Sequence, residues 1–242
     1  MLNPMNILLL KMGSTMPSVK AKYGDYEDWF AAALAIPREQ LLVVDAHSEP
    51  KFPENHRFDG LIISGSAHAV YDYEEWSENA ADWIEAQINA KRPILGVCYG
   101  HQLIAQRLGA TVGLSPGGRE IGVCAVERMK TDPIFDGLPD HFNVVQTHSD
   151  AILTDVPGAQ VLARSPQAEN QAMAIGNHIR TVQWHPEFTA DIISDYIHLR
   201  QEAIEAEFDA AHVEHLLGAL EPVPSGRQIL HNFIRHFVQK SP

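Results

Sequence analysis

The chain has 242 residues, 45% of them hydrophobic, which is enough to bury the core of one α/β domain. Its 31 acidic and 18 basic residues give a net charge of −13, which argues against a nucleic-acid surface because phosphate neutralisation needs clustered Lys and Arg. The apolar runs are too short to span a membrane, and the first ten residues lack the features of a signal peptide. Two cysteines are too few for a disulfide framework, so a reducing cytoplasm is the predicted location.

The N-terminal part of the chain alternates short apolar runs with helical spacing. The predicted elements are a first, central strand at 6–10, a loop at 12–26, a helix at 26–34, strands at 41–45 and 58–64, and a helix capped by Ser77 that runs to residue 90. Strands that alternate with helices imply a parallel sheet with right-handed crossovers. Ligands bind such sheets beyond the carboxyl ends of the strands, and Gly65 lies at one of these ends.

The next strand and helix enclose a cysteine. Residues 93–97 form an apolar run of the length of a buried strand, and residues 103–109 follow with helical spacing. Gly96 and Gly100 flank Cys98 at two residues on each side, which is the G-x-S-x-G nucleophile elbow with sulfur in place of oxygen. A sharp strand-to-helix turn leaves no room for side chains at the flanks, and it places the thiol at a helix N-terminus that favours the thiolate. The alternative interpretation is a small apolar cysteine in a core.

After Gly109 the pattern changes to shorter, meandering strands. They are predicted at 121–126, 140–145, 159–165, 172–175 and 179–184. Such strands after a parallel core favour an antiparallel extension of the sheet. Cys124, within the first of them, is expected to be an inert core thiol.

A second motif, at residues 181–188, supplies a candidate base. His185 and Glu187 are two residues apart, and side chains at that spacing share one face of an extended segment. Pro186 biases His185 towards an extended conformation. Glu187 can then reach one imidazole nitrogen while the other faces Cys98, as nucleophilic catalysis requires. A His and a Glu on a strand edge are common in themselves, but together with the elbow they favour a Cys98–His185–Glu187 triad.

Beyond residue 188 the chain is predicted to be helical. Thr189 or Asp191 can cap a helix from 192 to about 206, helical spacing continues over 209–217, and Ser225 can cap a last amphipathic helix. The role of residues 189–224 is not readable from the sequence. The thirteen histidines show no spacing typical of a zinc site, so no metal is predicted.

Together these motifs resemble the class I (triad) glutamine amidotransferase family, most closely the glutaminase domain of GMP synthase and its free-standing relatives. Residues 96–102 match the nucleophile motif, and residues 182–187 match the histidine–glutamate motif. Residues 61–66 look like the strand and turn of the oxyanion loop, although 64–68 read Ser-Gly-Ser-Ala-His where many relatives have Gly-Gly-Pro. The similarity runs from about residue 6 to about residue 188, with a final helix near the C-terminus. We therefore expect a single domain over 1–242 with a helical extension from about 189.

The resemblance implies an α/β fold with a flavodoxin-like, mostly parallel central sheet, flanked by helices and carrying an antiparallel extension. It implies no cofactor. It places oxyanion donors at Gly65 and Tyr99 and substrate contacts at Gln102, His148 and Ser149, the latter two within the segment 147–150. His101 lies in the elbow helix and is expected to point away from the thiol.

The predicted reaction is hydrolysis of the glutamine side-chain amide through a γ-glutamyl thioester on Cys98. His185 protonates the leaving ammonia and then activates water, while Glu187 holds the imidazole tautomer. The sequence has no phosphate-binding G-x-x-x-x-G-K-[ST] loop, and it leaves no room for a synthetase domain after residue 188. Either the ammonia passes to an unknown acceptor or a separate synthetase subunit, or the chain is a free-standing γ-glutamyl peptide or amide hydrolase. A catalytically silent regulatory binding protein is a third hypothesis, against which the intact triad argues.

Overall fold

The computed structural model describes residues 6–48, 51–53 and 57–239. Its strands are β1 (Ile7–Lys11), β2 (Leu41–Asp45), β3 (Gly60–Ile63), β4 (Ile94–Val97), β5 (Val112–Leu114), β6 (Glu120–Arg128), β7 (His141–His148), β8 (Asp150–Ile152), β9 (Ala159–Arg164), β10 (Ala172–Ile175) and β11 (Ile179–Val182). Its α-helices are α1 (Pro17–Tyr23), α2 (Tyr26–Leu34), α3 (Glu75–Asn89), α4 (Tyr99–Arg107), α5 (Ala190–Leu199), α6 (Gln201–Glu207), α7 (Ala210–Gly218) and α8 (Pro224–Phe233), the last followed by a π-helical turn at Ile234–Val238.

One mixed sheet holds nine of these strands in the order β2-β1-β3-β4-β11-β10-β9-β6-β7. The first five run parallel, whereas β10, β9, β6 and β7 join by antiparallel pairing. Strands β5 and β8 form a separate antiparallel pair. The fold is therefore the predicted mostly parallel, flavodoxin-like sheet with an antiparallel extension. The prediction that β1 is central is wrong in detail, because β2 lies outside it and makes β1 the second strand from the edge.

The core lies on both faces of the sheet. Along β1, Ile7 and Leu9 pack into one apolar cluster and Leu8 and Leu10 into the other, as the alternation of side chains on a strand requires. Helices α2, α5 and α8 cover the first face, and α3 and α4 cover the second. Burial on both faces explains why the parallel strands read as continuous apolar runs.

Three local predictions fail, the last two because tertiary contacts override capping preferences. Residues 12–26 are not all loop, since Pro17 starts α1. Ser77 is not the cap of α3, which begins two residues earlier, and its hydroxyl instead lies 2.6 Å from the hydroxyl of Tyr99. Ser225 lies inside α8 and donates to the carbonyl of Asn143.

The region after residue 188 is helical, as predicted. The Thr189 hydroxyl caps α5 by accepting from the Ile192 N–H at 3.3 Å. The single helix expected from 192 to about 206 is broken at Arg200, which ends α5 and precedes α6. Within the described ranges, no helix is long and apolar enough to cross a membrane. The assignment of residues 1–242 to one domain stays a prediction.

Candidate active site

Cys98 occupies the turn between β4 and α4 in a strained backbone conformation. Its φ is 49° and its ψ is −100°, in a left-handed region that non-glycine residues rarely adopt. Such a conformation costs roughly 1–3 kcal/mol and persists only where the surroundings impose it. Here the Cys98 N–H donates to the Val182 carbonyl at 2.9 Å, and the Cys98 carbonyl accepts from the Gln102 N–H at 3.0 Å. The two bonds tie the turn to β11 on one side and to α4 on the other.

The flanking glycines are required by close packing, as the elbow pattern predicts. A Cβ atom on Gly96 would lie 2.9 Å from the Gly100 carbonyl oxygen. A Cβ atom on Gly100 would lie 2.7 Å from Cγ2 of Ile63 and 2.8 Å from the Ile63 carbonyl oxygen. All three distances are shorter than real Cβ contacts, so any side chain at either position would push β3, β4 and α4 apart.

His185 and Glu187 form a buried pair beside this turn. The Nδ1 atom of His185 lies 2.7 Å from Oε1 of Glu187. The His185 N–H donates to the carbonyl of Val145 on β7 at 2.8 Å, which fixes the histidine backbone. The rings of Phe188 and Tyr26 lie 4.2 and 6.5 Å from the imidazole, centroid to centroid. The imidazole therefore has little freedom to move.

The electrostatics of the pair favour a protonated imidazole. Burial by itself lowers the pKa of His185, but the negative charges of Glu187 and Cys98, with hydrogen bonds to both, raise that pKa to about 10. At neutral pH the His185 imidazole therefore keeps its second proton.

Gly65 and Tyr99, which the resemblance predicts as oxyanion donors, both lie close to Cys98. An ideal Cβ on Gly65 would be 2.6 Å from Cε1 of His185 and 3.5 Å from Cβ of Cys98, so the Gly65 backbone packs against His185 and lies close to Cys98. Tyr99 is the first residue of α4, where backbone N–H groups have no partner inside the helix. The Tyr99 side chain points away from the thiol, since its hydroxyl bonds to Ser77.

The three predicted substrate contacts differ in exposure. Gln102 is buried, and its amide nitrogen donates to the Asp150 carbonyl at 3.1 Å and to Oε1 of Gln183 at 3.0 Å. His148 is also buried, with Nδ1 2.9 Å from the Asp150 carbonyl oxygen. Ser149 is partly exposed and lies between His148 and Asp150 in the chain. The first two side chains thus hold the segment that carries Ser149.

The other cysteine and the neighbouring histidine lie outside the site. His101 points away from Cys98, as predicted: its Nδ1 is 2.7 Å from the Thr181 hydroxyl, and its Nε2 is 3.1 Å from the Asn170 carbonyl oxygen. Burial lowers the pKa of His101 to about 3. Burial and the charge of Glu120 raise the pKa of Cys124 to about 12, which makes it a poor nucleophile. In the part of the chain that the structure describes, no group of three or more His, Cys, Asp or Glu side chains could hold a metal ion.

Several residues around Cys98, His185 and Glu187 were not found from the sequence. The hydroxyl of Tyr196 on α5 lies 2.7 Å from that of Thr15. Burial of Tyr26 and, as a smaller effect, the charges of Tyr196, Glu187 and Cys98 raise the pKa of Tyr26. Tyr26 and Tyr196 occur in ordinary amphipathic helices, where an aromatic residue normally indicates core packing. Only the folding of α2 and α5 against the His185 segment brings them together.

The model of the family described as glutamine amidotransferase class-I matches residues 25–198, which is well over half of the chain. The chain belongs to the class-I glutamine amidotransferase family. The resemblance based on the two motifs is thereby confirmed.

This chain matches most of the length of one relative but only a small part of another. It is 26% identical over 204 residues to gamma-glutamyl peptidase 3 of Arabidopsis thaliana, covering 78% of this chain and 80% of the peptidase. It is 41% identical over 128 residues to the glutamine-hydrolyzing GMP synthase of Thermomicrobium roseum, covering 53% of this chain but 23% of the synthase.

A solved structure shares the whole architecture. The crystal structure of a glutamine amidotransferase from Thermotoga maritima superposes with a TM-score of 0.74 at 19% identity, covering 98% of this chain and 100% of that one. At this identity the likeness concerns the fold alone.

Proposed function

We propose that the protein hydrolyses γ-glutamyl amide bonds through a thioester on Cys98. The observation that carries this proposal is the position of Cys98, held at a φ of 49° on the elbow beside the hydrogen-bonded His185–Glu187 pair. Gly65, packed against the histidine and close to the cysteine, completes the arrangement. These are the nucleophile, the base, the orienting acid and the close backbone approach that acyl transfer requires.

The reaction has two halves. The Cys98 thiolate attacks the γ-carbonyl carbon, and backbone N–H groups at Tyr99 and near Gly65 stabilise the oxyanion of the tetrahedral intermediate. The C–N bond then breaks as the His185 imidazolium gives its proton to the leaving nitrogen, which leaves the γ-glutamyl thioester. His185, now neutral, takes a proton from water, whose oxygen attacks the thioester. The C–S bond breaks, glutamate leaves, and Glu187 stabilises the imidazolium that forms again.

Substrate positioning follows from the segment after β7. Ser149 is accessible enough to contact the glutamyl group, whereas Gln102 and His148 are buried and bond to the Asp150 carbonyl. We therefore assign Ser149 to direct contact and the other two residues to positioning of the segment. This revises the expectation that all three touch the substrate.

Two kinds of leaving group fit this chemistry. Glutamine releases ammonia, which a separate synthetase subunit could use, as the match to a glutamine-hydrolyzing GMP synthase suggests. A γ-glutamyl peptide releases an amine, and the match to a γ-glutamyl peptidase over 80% of its length favours this second function. No cofactor enters either reaction, and a cytoplasmic location remains our prediction.

The test is the release of glutamate from glutamine and from a panel of γ-glutamyl peptides and amides by the purified chain. We expect every substrate that is cleaved to depend on Cys98, so Cys98→Ala should be inactive on all of them. The ratio of kcat/KM for glutamine to that for the best peptide identifies the leaving group. Failure of the wild-type protein to release glutamate from any member of the panel would refute the proposal.

A further inference from the structure

Arg200 lies in the short break between α5 and α6 and is partly exposed. Its Nη1 donates to the hydroxyl of Thr147 on β7. Its guanidinium carbon lies 5.0 Å from the ring centroid of Tyr196. The hydrogen bond and the cation–π contact hold the guanidinium plane in one place.

No carboxylate of the described residues pairs with this guanidinium within 4.0 Å. Nearby Arg119 has such a partner, since its Nε lies 2.8 Å from Glu207. The buried Arg180 likewise lies 2.9 Å from Asp132. Burial lowers the pKa of Arg200, so the guanidinium has lost part of its water without gaining a counter-charge. That arrangement is unfavourable unless an anion arrives.

The guanidinium is close to the proposed catalytic residues. The carbonyl of Val145 accepts from the His185 N–H at 2.8 Å, and Thr147 follows two residues later, about 7 Å along the strand. On the other side, the ring of Tyr196 lies 5.1 Å from that of Phe188, which is 4.2 Å from the His185 ring. Arg200 and His185 therefore both contact β7, and Phe188 links the His185 ring to Tyr196, the residue that Arg200 contacts on α5.

We propose that Arg200, together with the Thr147 hydroxyl, binds a carboxylate of the γ-glutamyl substrate. Every such substrate carries an α-carboxylate on its glutamyl group, and a γ-glutamyl peptide carries a second carboxylate on the leaving group. The planar guanidinium fork matches a carboxylate with two parallel hydrogen bonds, which a lysine cannot reproduce. The inference rests on the proposed function and makes Arg200 a specificity-determining residue for it.

The variant Arg200→Gln removes the charge and keeps a side chain of similar reach. We expect KM for γ-glutamylglycine, which carries both carboxylates, to rise about 10- to 100-fold, the usual effect of losing a hydrogen bond to a charged group. The kcat should stay close to the wild-type value, because binding common to the ground state and the transition state is what disappears. Arg200→Lys should recover part of the loss. Arg119→Gln is the matched control, since that arginine already has a carboxylate partner, and its KM should change far less.

Neutral substrate analogues identify which carboxylate is bound. If it is the α-carboxylate, the wild-type protein should already show a high KM for glutaminamide, and Arg200→Gln should not raise it further. If it is the leaving-group carboxylate, Arg200→Gln should raise KM for γ-glutamylglycine but not for its glycine amide, and KM for glutamine and for glutaminamide should stay unchanged. An equal effect of Arg200→Gln on all charged and neutral substrates, or an equal KM rise in Arg119→Gln, would overturn the proposal.

A binding measurement separates this inference from the proposed function. Glutamine and γ-glutamylglycine are titrated calorimetrically into Cys98→Ala and into the double variant that also carries Arg200→Gln. At least one of the two dissociation constants should be about 10-fold or more higher in the double variant. Thermal unfolding confirms that both variants are folded. If the wild-type protein cleaves γ-glutamyl compounds but Arg200→Gln alters neither KM nor the dissociation constants, Arg200 is not the carboxylate site. If it cleaves none, the proposed function itself fails.

Discussion

The substitution Gly65→Ala tests the geometry of the site with a single added methyl group. That methyl carbon would lie 2.6 Å from Cε1 of His185, whereas ordinary contacts begin at 3.4 Å, so the imidazole must move by about 0.8 Å (3.4 − 2.6). The ring cannot yield easily, because Glu187 holds it at 2.7 Å and Phe188 packs 4.2 Å away. A misplacement of about 1 Å can cost roughly 10²-fold in rate, or about 2.7 kcal/mol in the barrier. We expect kcat for glutamine or a γ-glutamyl peptide to fall by about that factor.

The control is Gly218→Ala at the end of α7, where no atom lies within 4 Å of the added Cβ. Steady-state kinetics and thermal unfolding of both variants separate an effect on the site from an effect on the fold. Gly218→Ala should keep wild-type kinetics. If Gly65→Ala were folded and had the same kcat and KM as Gly218→Ala, the close contact between Gly65 and His185 would have no part in the chemistry.

Three further predictions concern the nucleophile, the acid of the triad and the buried histidine. A glutamine-analogue diazoketone should label the wild-type protein and Cys124→Ala but not Cys98→Ala, and labelling that follows Cys124 instead would refute the assignment. His185→Ala should lower kcat by several orders of magnitude, and Glu187→Gln should lower it by less. The loss in Glu187→Gln should be equal for glutamine and for γ-glutamyl peptides, and a loss with only one substrate class would contradict a shared thioester. The pKa of His101 is about 3 when folded and about 6.5 when unfolded, so the unfolded state binds the extra proton and stability falls as pH drops through 6.5. Between pH 7 and pH 5 the wild-type protein should lose about 2 kcal/mol more free energy of unfolding than His101→Gln, and equal losses in denaturant titrations would show that His101 is not held neutral.

The sequence predicts those parts of the fold that local chemistry determines. The pattern Gly96-Val97-Cys98-Tyr99-Gly100 gives the elbow because only glycine fits against Ile63 and the neighbouring carbonyl. The spacing of His185 and Glu187 gives their 2.7 Å contact because an extended segment places them on one face. Both motifs can be recognised from residues only a few positions apart in the chain.

The remaining features depend on contacts between distant segments, and the sequence shows no local signal for them. Ser77 has the character of a helix cap, yet its hydroxyl pairs with Tyr99 across the α3–α4 interface. Gln102 looks like a substrate contact by its place in the motif, but folding buries it against Asp150. From the sequence alone Arg200 is expected to be a surface residue of a helix, whereas the fold places it beside Thr147 of β7 and Tyr196 of α5.

The central claim, a γ-glutamyl thioester on Cys98, is tested most directly by mass spectrometry of protein quenched in acid during turnover. The spectrum should show one added glutamyl group on the peptide that contains Cys98, the same whether glutamine or a γ-glutamyl peptide is the substrate. The adduct and the turnover should both be absent from Cys98→Ala. A glutamyl group on any other residue, or turnover by Cys98→Ala at the wild-type rate, would contradict the claim.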